Sequence, residues 1–443
     1  MSAARALTAT TRAPLPGGAL LLHEPSHAVP LVSIVVALRT GSALDPAGKD
    51  GLARIAMRML RRGCEGMTAE QVDVRIDVLG GEMAVDTSAS TVALHAQVLS
   101  RNLDAFAGLL ALLLGTPSFP EDELARIKRE TIAEIIEARD SDRAVAQRAF
   151  NRAIFEGHPY GRSAGGTTRT VAALTRDDVL AFHRRFGVQG NVVIGLAGDV
   201  TAGHATAVAG RLVGALPPGP ATIDEVSEPC MRVGRRLLVV DKPDRTQTQI
   251  LVGTLGTAPH DPDHVPLVVA NAVFGGTFTS RLMREVRSKR GWSYGASART
   301  GIDRRRQAWL MWTFPAAADA AACLKLTIEL MDDWVTGGIT ARELAFIQRY
   351  LIRSHAFEID TAPKRLHQAL DVELLSLPAD YYSGWIDHVR AVTVEAASQA
   401  VTNRIRTADL LTVVVCTAAQ VAEPLKASIA GLGDTQVEAF DAE

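Results

Sequence analysis

Two polar side chains in a basic segment of the second half of the chain could stabilise negative charge. Arg287 lies near the end of a predicted helix that begins at Ser280 and ends before Gly291, and Tyr294 follows seven residues later, where a strand is predicted. A guanidinium and a phenol directed at one point could bind carbonyl oxygens or stabilise an oxyanion in a cleft from which water is excluded. The spacing alone favours a simpler interpretation, the basic end of an amphipathic helix with a tyrosine packed nearby.

A second group of residues has the letters of a zinc-binding motif. His23, Glu24 and His27 match HExxH, in which a helix places two histidines one turn apart and the glutamate acts as general base. Pro25 lies inside the motif, where it would destabilise a helix by about 3 kcal/mol. The apolar runs on both sides are typical of strands, so we predict a turn between two strands here and no metal site.

The composition is that of an ordinary globular chain. It has 443 residues, of which 47% are hydrophobic and 22% charged, and this length favours two or more domains. A net charge of -2 provides no electrostatic basis for binding nucleic acid or an anionic membrane surface. No segment reaches the roughly 18 uninterrupted apolar residues of a membrane-spanning helix. We therefore expect neither nucleic acid nor membrane as a partner.

Location and thiol chemistry are constrained more weakly. Residues 1–16 contain no apolar core of signal-peptide length, which favours a soluble cytoplasmic protein, although trimming of a signal peptide from a periplasmic protein would leave the same sequence. The cysteines are far apart and form no CxxC pair, so we predict that all are buried free thiols: Cys64, Cys230, Cys323 and Cys416.

The chain contains an internal repeat. Residues 19–46 and residues 237–262 both run through a predicted strand, a turn ending in proline, a second strand and a glycine turn, and Pro25 and Pro243 are 218 residues apart. A threonine followed by acidic residues, the usual start of a helix, recurs at Thr175 and Thr393. A duplication of one structural unit explains these matches.

The repeat predicts an α+β fold of two duplicated domains. Each would have a mixed β-sheet with helices packed on one face, and the two would enclose a cleft. The paired strands at the start of each half suggest hairpins. We place the first domain at residues 1–216, a proline-rich linker at 217–234 and the second domain at 235–443.

The order of these motifs closely resembles the pitrilysin/insulinase family of zinc peptidases, in the branch that includes the mitochondrial processing peptidases. That family carries an inverted motif, HxxEH, on the helix after the first glycine turn. Here the corresponding positions are Arg54, Met57 and Arg58. Two guanidinium groups would repel Zn²⁺, and methionine cannot accept a proton from water. The resemblance therefore implies that this chain binds no metal or other cofactor itself.

The family's third zinc ligand is a glutamate on a later helix. Glu134 has the family's usual spacing, 76 residues after Arg58. One alternative is that Glu134 forms an ion pair with Arg54 or Arg58 where the metal would lie. The other is that Glu130, Glu134 and Glu137 face solvent on an amphipathic helix.

The resemblance also assigns roles in the second half of the chain. It implies that Arg287 and Tyr294 bind the peptide backbone and help to stabilise the oxyanion of the tetrahedral intermediate. It further implies that the loop of Gly275, Gly276 and Thr277 contacts substrate.

These expectations combine into a half-site hypothesis. The chain would be the subunit without zinc in a heterodimeric or larger zinc peptidase, and a homologous HxxEH-containing subunit would hold the zinc. Peptides would be the substrates, bound partly by strand addition to a sheet edge. One alternative is a non-catalytic scaffold derived from a peptidase; a more distant one is a self-sufficient metallopeptidase that uses His23 and His27.

Overall fold

The computed structural model describes residues 10–443, so residues 1–9 of the predicted first domain lie outside the described residues. The chain forms two compact units. Among the described residues, unit 1 comprises residues 10–135, 163–226 and 356–377, and unit 2 comprises residues 136–162, 227–355 and 378–443. The architecture is mixed α/β with one large sheet in each unit, as the repeat predicts.

The sheet of unit 1 has six strands in the order β1-β2-β8-β3-β7-β6, and a two-stranded ribbon, β4-β5, lies apart from it. β2 and β8 pair in parallel, and every other pair is antiparallel. The strands are β1 (Thr11–Pro14), β2 (Leu20–Pro25), β3 (Leu31–Leu38), β4 (Gly63–Cys64), β5 (Met67–Thr68), β6 (Glu82–Thr87), β7 (Val92–Leu99) and β8 (Val192–Gly198).

The sheet of unit 2 has the order β11-β12-β10-β13-β9-β14, which repeats the arrangement of unit 1 except at the edge strand β14. β9 pairs in parallel with both β13 and β14, and the remaining pairs are antiparallel. The strands are β9 (Arg235–Asp241), β10 (Gln249–Leu255), β11 (Ala296–Thr300), β12 (Ala308–Thr313), β13 (Leu411–Cys416) and β14 (Leu432–Ala439).

The α-helices of the described residues connect these strands in both units. They are α1 (Leu52–Met59), α2 (Ala69–Val78), α3 (Leu103–Gly115), α4 (Glu121–Glu137), α5 (Asp142–Ile154), α6 (Thr168–Ala173), α7 (Arg176–Phe186), α8 (Ala202–Gly214), α9 (His264–Asn271), α10 (Ala320–Gly337), α11 (Ala341–Ser354), α12 (Ala362–Leu374), α13 (Trp385–Ala391), α14 (Val394–Arg404) and α15 (Ala418–Ser428). Thr175 and Thr393 cap α7 and α14 through their side chains, as predicted. No helix within residues 10–443 is long and apolar enough to cross a membrane.

The expected pairing of the two predicted strands at the start of each half, β2 with β3 and β9 with β10, is wrong. β8 lies between β2 and β3, and β13 lies between β9 and β10. Every residue of β8 and of β13 is buried. Strands of this kind are shielded on both faces and occupy the middle of a sheet, which separates the strands that are adjacent in the sequence.

The compact units exchange helices, whereas the predicted domains are contiguous halves of the chain. Besides the helices on one face of its sheet, unit 1 contains α12, whose Leu366 and Leu370 pack against Leu20, Leu22 and Val193 on the opposite face. In unit 2, α5 packs against β10 and β13. Each sheet therefore has helices on both faces, because its central strands are apolar on both sides.

A buried charge in each unit holds the exchanged helix. In unit 1, Glu24 is fully buried and accepts from Nε of Arg365 on α12 at 2.6 Å. In unit 2, Nζ of Lys242 donates to Asp142 at the start of α5 at 2.6 Å, and to the carbonyl oxygen of Arg139 at 2.8 Å. Glu24 and Lys242 are equivalent in the repeat. The same position therefore anchors the exchanged helix in both units, with a negative charge in unit 1 and a positive charge in unit 2.

The cysteine prediction holds in three positions out of four. Cys64, Cys323 and Cys416 are buried free thiols, and burial raises the pKa of Cys323 and of Cys416 to about 12. The prediction is wrong for Cys230, which is exposed. Cys230 lies in the irregular segment that precedes β9, outside both apolar cores.

Replacement of Arg365 by alanine tests the role of the buried ion pair. The variant leaves the Glu24 carboxylate buried with no cation, so we expect a loss of about 3–5 kcal/mol in the free energy of unfolding, measured by denaturant titration. K364A in the same helix removes the exposed Lys364–Asp360 pair and should change stability by at most about 1 kcal/mol. Equal effects of the two substitutions would contradict this account of the exchanged helix.

Candidate functional site

The helix at the predicted metal position is fixed by a tight turn before it. Gly51 precedes α1 with φ +95°, and a Cβ there would come within 3.0 Å of the Gly165 carbonyl oxygen. The buried Asp45 carboxylate accepts hydrogen bonds from the backbone N–H of Gly51 and of Ala53, both at 3.0 Å. These contacts cap the helix and determine which of its residues face α4.

Arg54 and Arg58 converge on one carboxylate. Nη2 of Arg54 lies 2.8 Å from Glu134, and Nη1 of Arg58 lies 3.1 Å from the same carboxylate. Arg58 also contacts Glu130 at 3.2 Å and donates to Thr131 at 2.8 Å. Glu134 therefore pairs with both arginines, in agreement with the ion-pair alternative. Glu137, in contrast, is exposed.

Met57, which lies between the two arginines of the degenerate motif, has a different environment. It is 3% exposed and belongs to the apolar core of unit 1. An apolar side chain fits this position, because an unpaired carboxylate there would be desolvated at high cost.

The side chains at these positions do not fit a zinc ion. Guanidinium groups carry permanent positive charge and offer no lone pair, and the thioether of Met57 is turned into the core. Of the positions that correspond to the zinc motif, only Glu134 has a side chain that could bind zinc, and its carboxylate is already paired with both arginines. Within residues 10–443, no group of three or more His, Cys, Asp or Glu side chains could hold a metal ion.

The HExxH letters at residues 23–27 form no site either. His23 and Glu24 lie in strand β2, and Glu24 is bonded to Arg365. The buried His23 ring contacts the Val200 carbonyl oxygen at 3.1 Å, while the exposed His27 ring contacts Asp199 at 2.7 Å. The two imidazoles therefore have separate partners, as expected for residues in and after a strand.

Arg287 lies in an unusual helical segment of unit 2. Residues Met283–Lys289 form a π-helix, and a second π-helical stretch, Ala272–Gly276, precedes it. Such widened turns are frequent at functional sites. Arg281, six residues before Arg287, anchors the segment through two hydrogen bonds to Glu343 at 2.8 and 2.7 Å.

The anchoring carboxylate is strongly held in its charged form. Burial alone would raise the pKa of Glu343, but the bonds from Arg281 and Thr340 outweigh it and lower the pKa to about 2. Because the folded-state pKa is depressed, the stabilisation is complete above the ordinary carboxyl range and is lost as the pH falls from there towards 2.

Arg287 and Tyr294 are brought together, and a third residue joins them. The guanidinium carbon of Arg287 lies 4.5 Å from the centroid of the Tyr294 ring and 4.6 Å from that of Phe278. Both rings are largely exposed, Tyr294 by 78% and Phe278 by 73%. We call these three residues the aromatic–arginine cluster.

The other basic residues of the segment each have a carboxylate partner, although three of them share one. Glu285 contacts Lys289 at 2.8 Å, Arg290 at 3.0 Å and Arg284 at 3.5 Å, and the hydrogen bond from Lys289 is the main reason that its pKa is lowered. Among the described residues, Arg287 has no carboxylate partner. Its guanidinium donors thus remain available to a ligand.

The glycine loop before this helix has a structural part and an exposed part. Gly275 is buried, and a Cβ there would come within 2.6 Å of the Ala298 backbone nitrogen, so close packing on β11 requires glycine. Gly276 is exposed, and Thr277 donates to the Ala272 carbonyl oxygen at 3.3 Å. Of the three predicted substrate-binding residues, Gly276 and Thr277 are accessible and Gly275 is not.

Phe278 is the residue that sequence reasoning missed. It follows Thr277 in a loop of small and hydroxylated residues, where a large apolar side chain has no core to enter. That mismatch is a signal, but the contact with Arg287 depends on the loop conformation and could not be derived from the spacing.

Comparison with known families agrees with the geometry. Residues 20–168 match the family model described as insulinase (peptidase family M16), and residues 173–351 match the model described as peptidase M16 inactive domain. The chain is 27% identical over 341 residues to an uncharacterized zinc protease of Mycobacterium leprae, covering 75% of each protein. It is 20% identical over 376 residues to the non-peptidase homolog YmxG of Helicobacter pylori, covering 85% of this chain and 86% of that protein.

A solved structure has the same architecture. The crystal structure of a peptidase M16 inactive domain from Pseudomonas fluorescens superposes with a TM-score of 0.85 and 25% sequence identity, covering 92% of this chain and 98% of that one. Together with the two family models, this likeness shows that the chain belongs to the insulinase (M16) peptidase family and resembles its inactive members.

Proposed function

We propose that this chain is the non-zinc-binding subunit of a two-subunit zinc peptidase. The observation that carries the proposal is the pairing of Arg54 and Arg58 with Glu134, in a chain that keeps Arg287 and Tyr294 in contact. Two arginines replace the histidines that would bind zinc, and a buried methionine replaces the glutamate that would accept a proton from water. The charge-stabilising pair in the second half of the chain has no comparable replacement.

The division of labour follows from these two regions. A homologous subunit with an intact HxxEH motif supplies the zinc site, and this chain supplies Arg287 and Tyr294. Their donors bind the carbonyl oxygens of the peptide and stabilise negative charge that develops on the reacting carbonyl. The Gly276–Thr277 part of the loop supports the bound peptide beside them.

The edge strands are suited to holding an extended peptide. β6 and β11 are terminal strands of their sheets, and the side chains of β6 alternate between exposed and half-buried. An edge strand has unpaired backbone groups that can accept an added strand, which recognises backbone more than sequence. This mode fits a peptidase that acts on unfolded segments.

Peptide hydrolysis by separate and mixed subunits tests the proposal. We expect hydrolysis of quenched fluorescent peptides, sensitive to a zinc chelator, only when this chain is mixed with a homologous subunit that carries an intact HxxEH motif. R287A and Y294F should each lower kcat by about 100- to 1,000-fold in the mixture, as for loss of one oxyanion donor.

The control for this assay is R390A, which removes an exposed ion pair with Asp387 in the same unit and should leave the rate unchanged. Full activity of the partner without this chain would contradict the proposal and favour the scaffold alternative. Chelator-sensitive hydrolysis by this chain alone would favour the self-sufficient enzyme.

Zinc binding by R54H/R58H tests whether these positions mark a former metal site. Both side chains already reach Glu134 from one face of α1, one turn apart, so two imidazoles with Glu134 would form a three-ligand site. We expect about one zinc per chain in the variant after dialysis and none in the wild type, measured by metal analysis.

The added substitution E134Q should abolish the zinc gained by R54H/R58H. Because Met57 is retained, the variant should stay inactive as a peptidase. A folded double variant that binds no zinc would show that the three positions do not converge as a metal site.

A further inference from the structure

We infer that the aromatic–arginine cluster of Phe278, Arg287 and Tyr294 binds carboxylate groups, and that acidic peptides are the preferred ligands of this surface. The inference deepens the proposed function by naming its substrate class, and as a substrate assignment it rests on that function. Binding itself needs only unit 2 and can be measured on the chain alone.

The first step concerns the donors of Arg287. Its guanidinium lies over two aromatic rings, at 4.5 and 4.6 Å from their centroids, and these contacts use no hydrogen-bond acceptor. No oxygen of the described residues accepts a hydrogen bond from this side chain. A planar guanidinium held in this way offers a fork of N–H donors that matches a carboxylate in two-point geometry.

The second step concerns the charge around the cluster. The segment from Ser280 to Tyr294 contains five basic residues and one acidic residue, Glu285. Glu285 is shared among three cations, of which Arg284 is 55% and Lys289 58% exposed. One carboxylate cannot neutralise three cations, so the surface beside Arg287 has an excess of positive charge in a chain whose net charge is -2.

The third step distinguishes a carboxylate from a backbone carbonyl. Arg287 can donate to either oxygen, but the positive excess attracts only the charged group, and it does so over a distance comparable to the screening length of about 8 Å at physiological salt. A peptide with an acidic residue next to the carbonyl bound by Tyr294 would therefore bind more tightly than its neutral equivalent. The exposed rings of Phe278 and Tyr294 add apolar contact for the side-chain stem.

Fluorescence anisotropy with labelled peptides tests the inference on the isolated chain. The probes are an unstructured peptide containing several glutamates and a matched peptide with glutamines in the same places. We expect the glutamate peptide to bind about 10- to 100-fold more tightly, as for hydrogen bonds to a charged group, and its affinity to fall as salt is raised. Equal affinities for the two peptides would overturn the inference without any mutation.

Substitutions then locate the site. R287A should remove the difference between the two peptides, R287K should retain part of it because the charge remains without the planar fork, and F278A should weaken binding of the glutamate peptide. R390A is the matched control and should bind both peptides as the wild type does. A preference for glutamate that persists unchanged in R287A would also overturn the inference.

The two proposals fail separately. If the mixed subunits cleave glutamate and glutamine peptides with the same kcat/KM and both rates depend on Arg287, the half-site function stands and the acidic preference is wrong. If the chain binds the glutamate peptide through Arg287 but no mixture is active, the carboxylate site stands and the peptidase role is wrong.

Discussion

A sheet that is apolar on both faces needs cover on both, and the architecture of this chain depends on that constraint. In each unit, helices from the same half of the chain cover one face. A helix from the other half covers the opposite face, α12 in unit 1 and α5 in unit 2. Each exchanged helix is fixed by a buried ion pair, Glu24 with Arg365 and Lys242 with Asp142. Neither half of the sequence therefore builds a complete unit alone.

The two regions that the proposal assigns to function differ in their charge pairing. At the start of unit 1, the turn before α1 and the contacts of its helix face still direct residues 54 and 58 towards Glu134. These residues form an ion-pair cluster. Its contribution to the stability of the fold is modest because its carboxylates are partly exposed. In unit 2, a π-helical segment anchored by Glu343 holds Arg287, which has no carboxylate partner within residues 10–443. An acceptor group on a bound ligand would satisfy the free N–H donors of Arg287.

Much of this could be predicted from the sequence because the repeat and the motifs are local patterns. The two sheets, the helix of Arg54 and Arg58 and the caps at Thr175 and Thr393 follow from periodicity and capping chemistry. The central position of β8 and β13 and the exchange of α5 and α12 could not be predicted, since they depend on which distant surfaces cover a two-sided sheet. The sequence left open whether Glu134 pairs with Arg54 or with Arg58. The contact between Phe278 and Arg287 could not be predicted because it depends on the conformation of the loop.

The central claim is that this chain contacts the peptide while another subunit holds the zinc. The most direct test replaces Phe278 with a photoreactive phenylalanine analogue and irradiates the active two-subunit mixture in the presence of a labelled, slowly cleaved peptide. Our account predicts a covalent adduct between this chain and the peptide, reduced by excess unlabelled peptide. An active mixture that cleaves the peptide but gives no adduct between this chain and the peptide would contradict it.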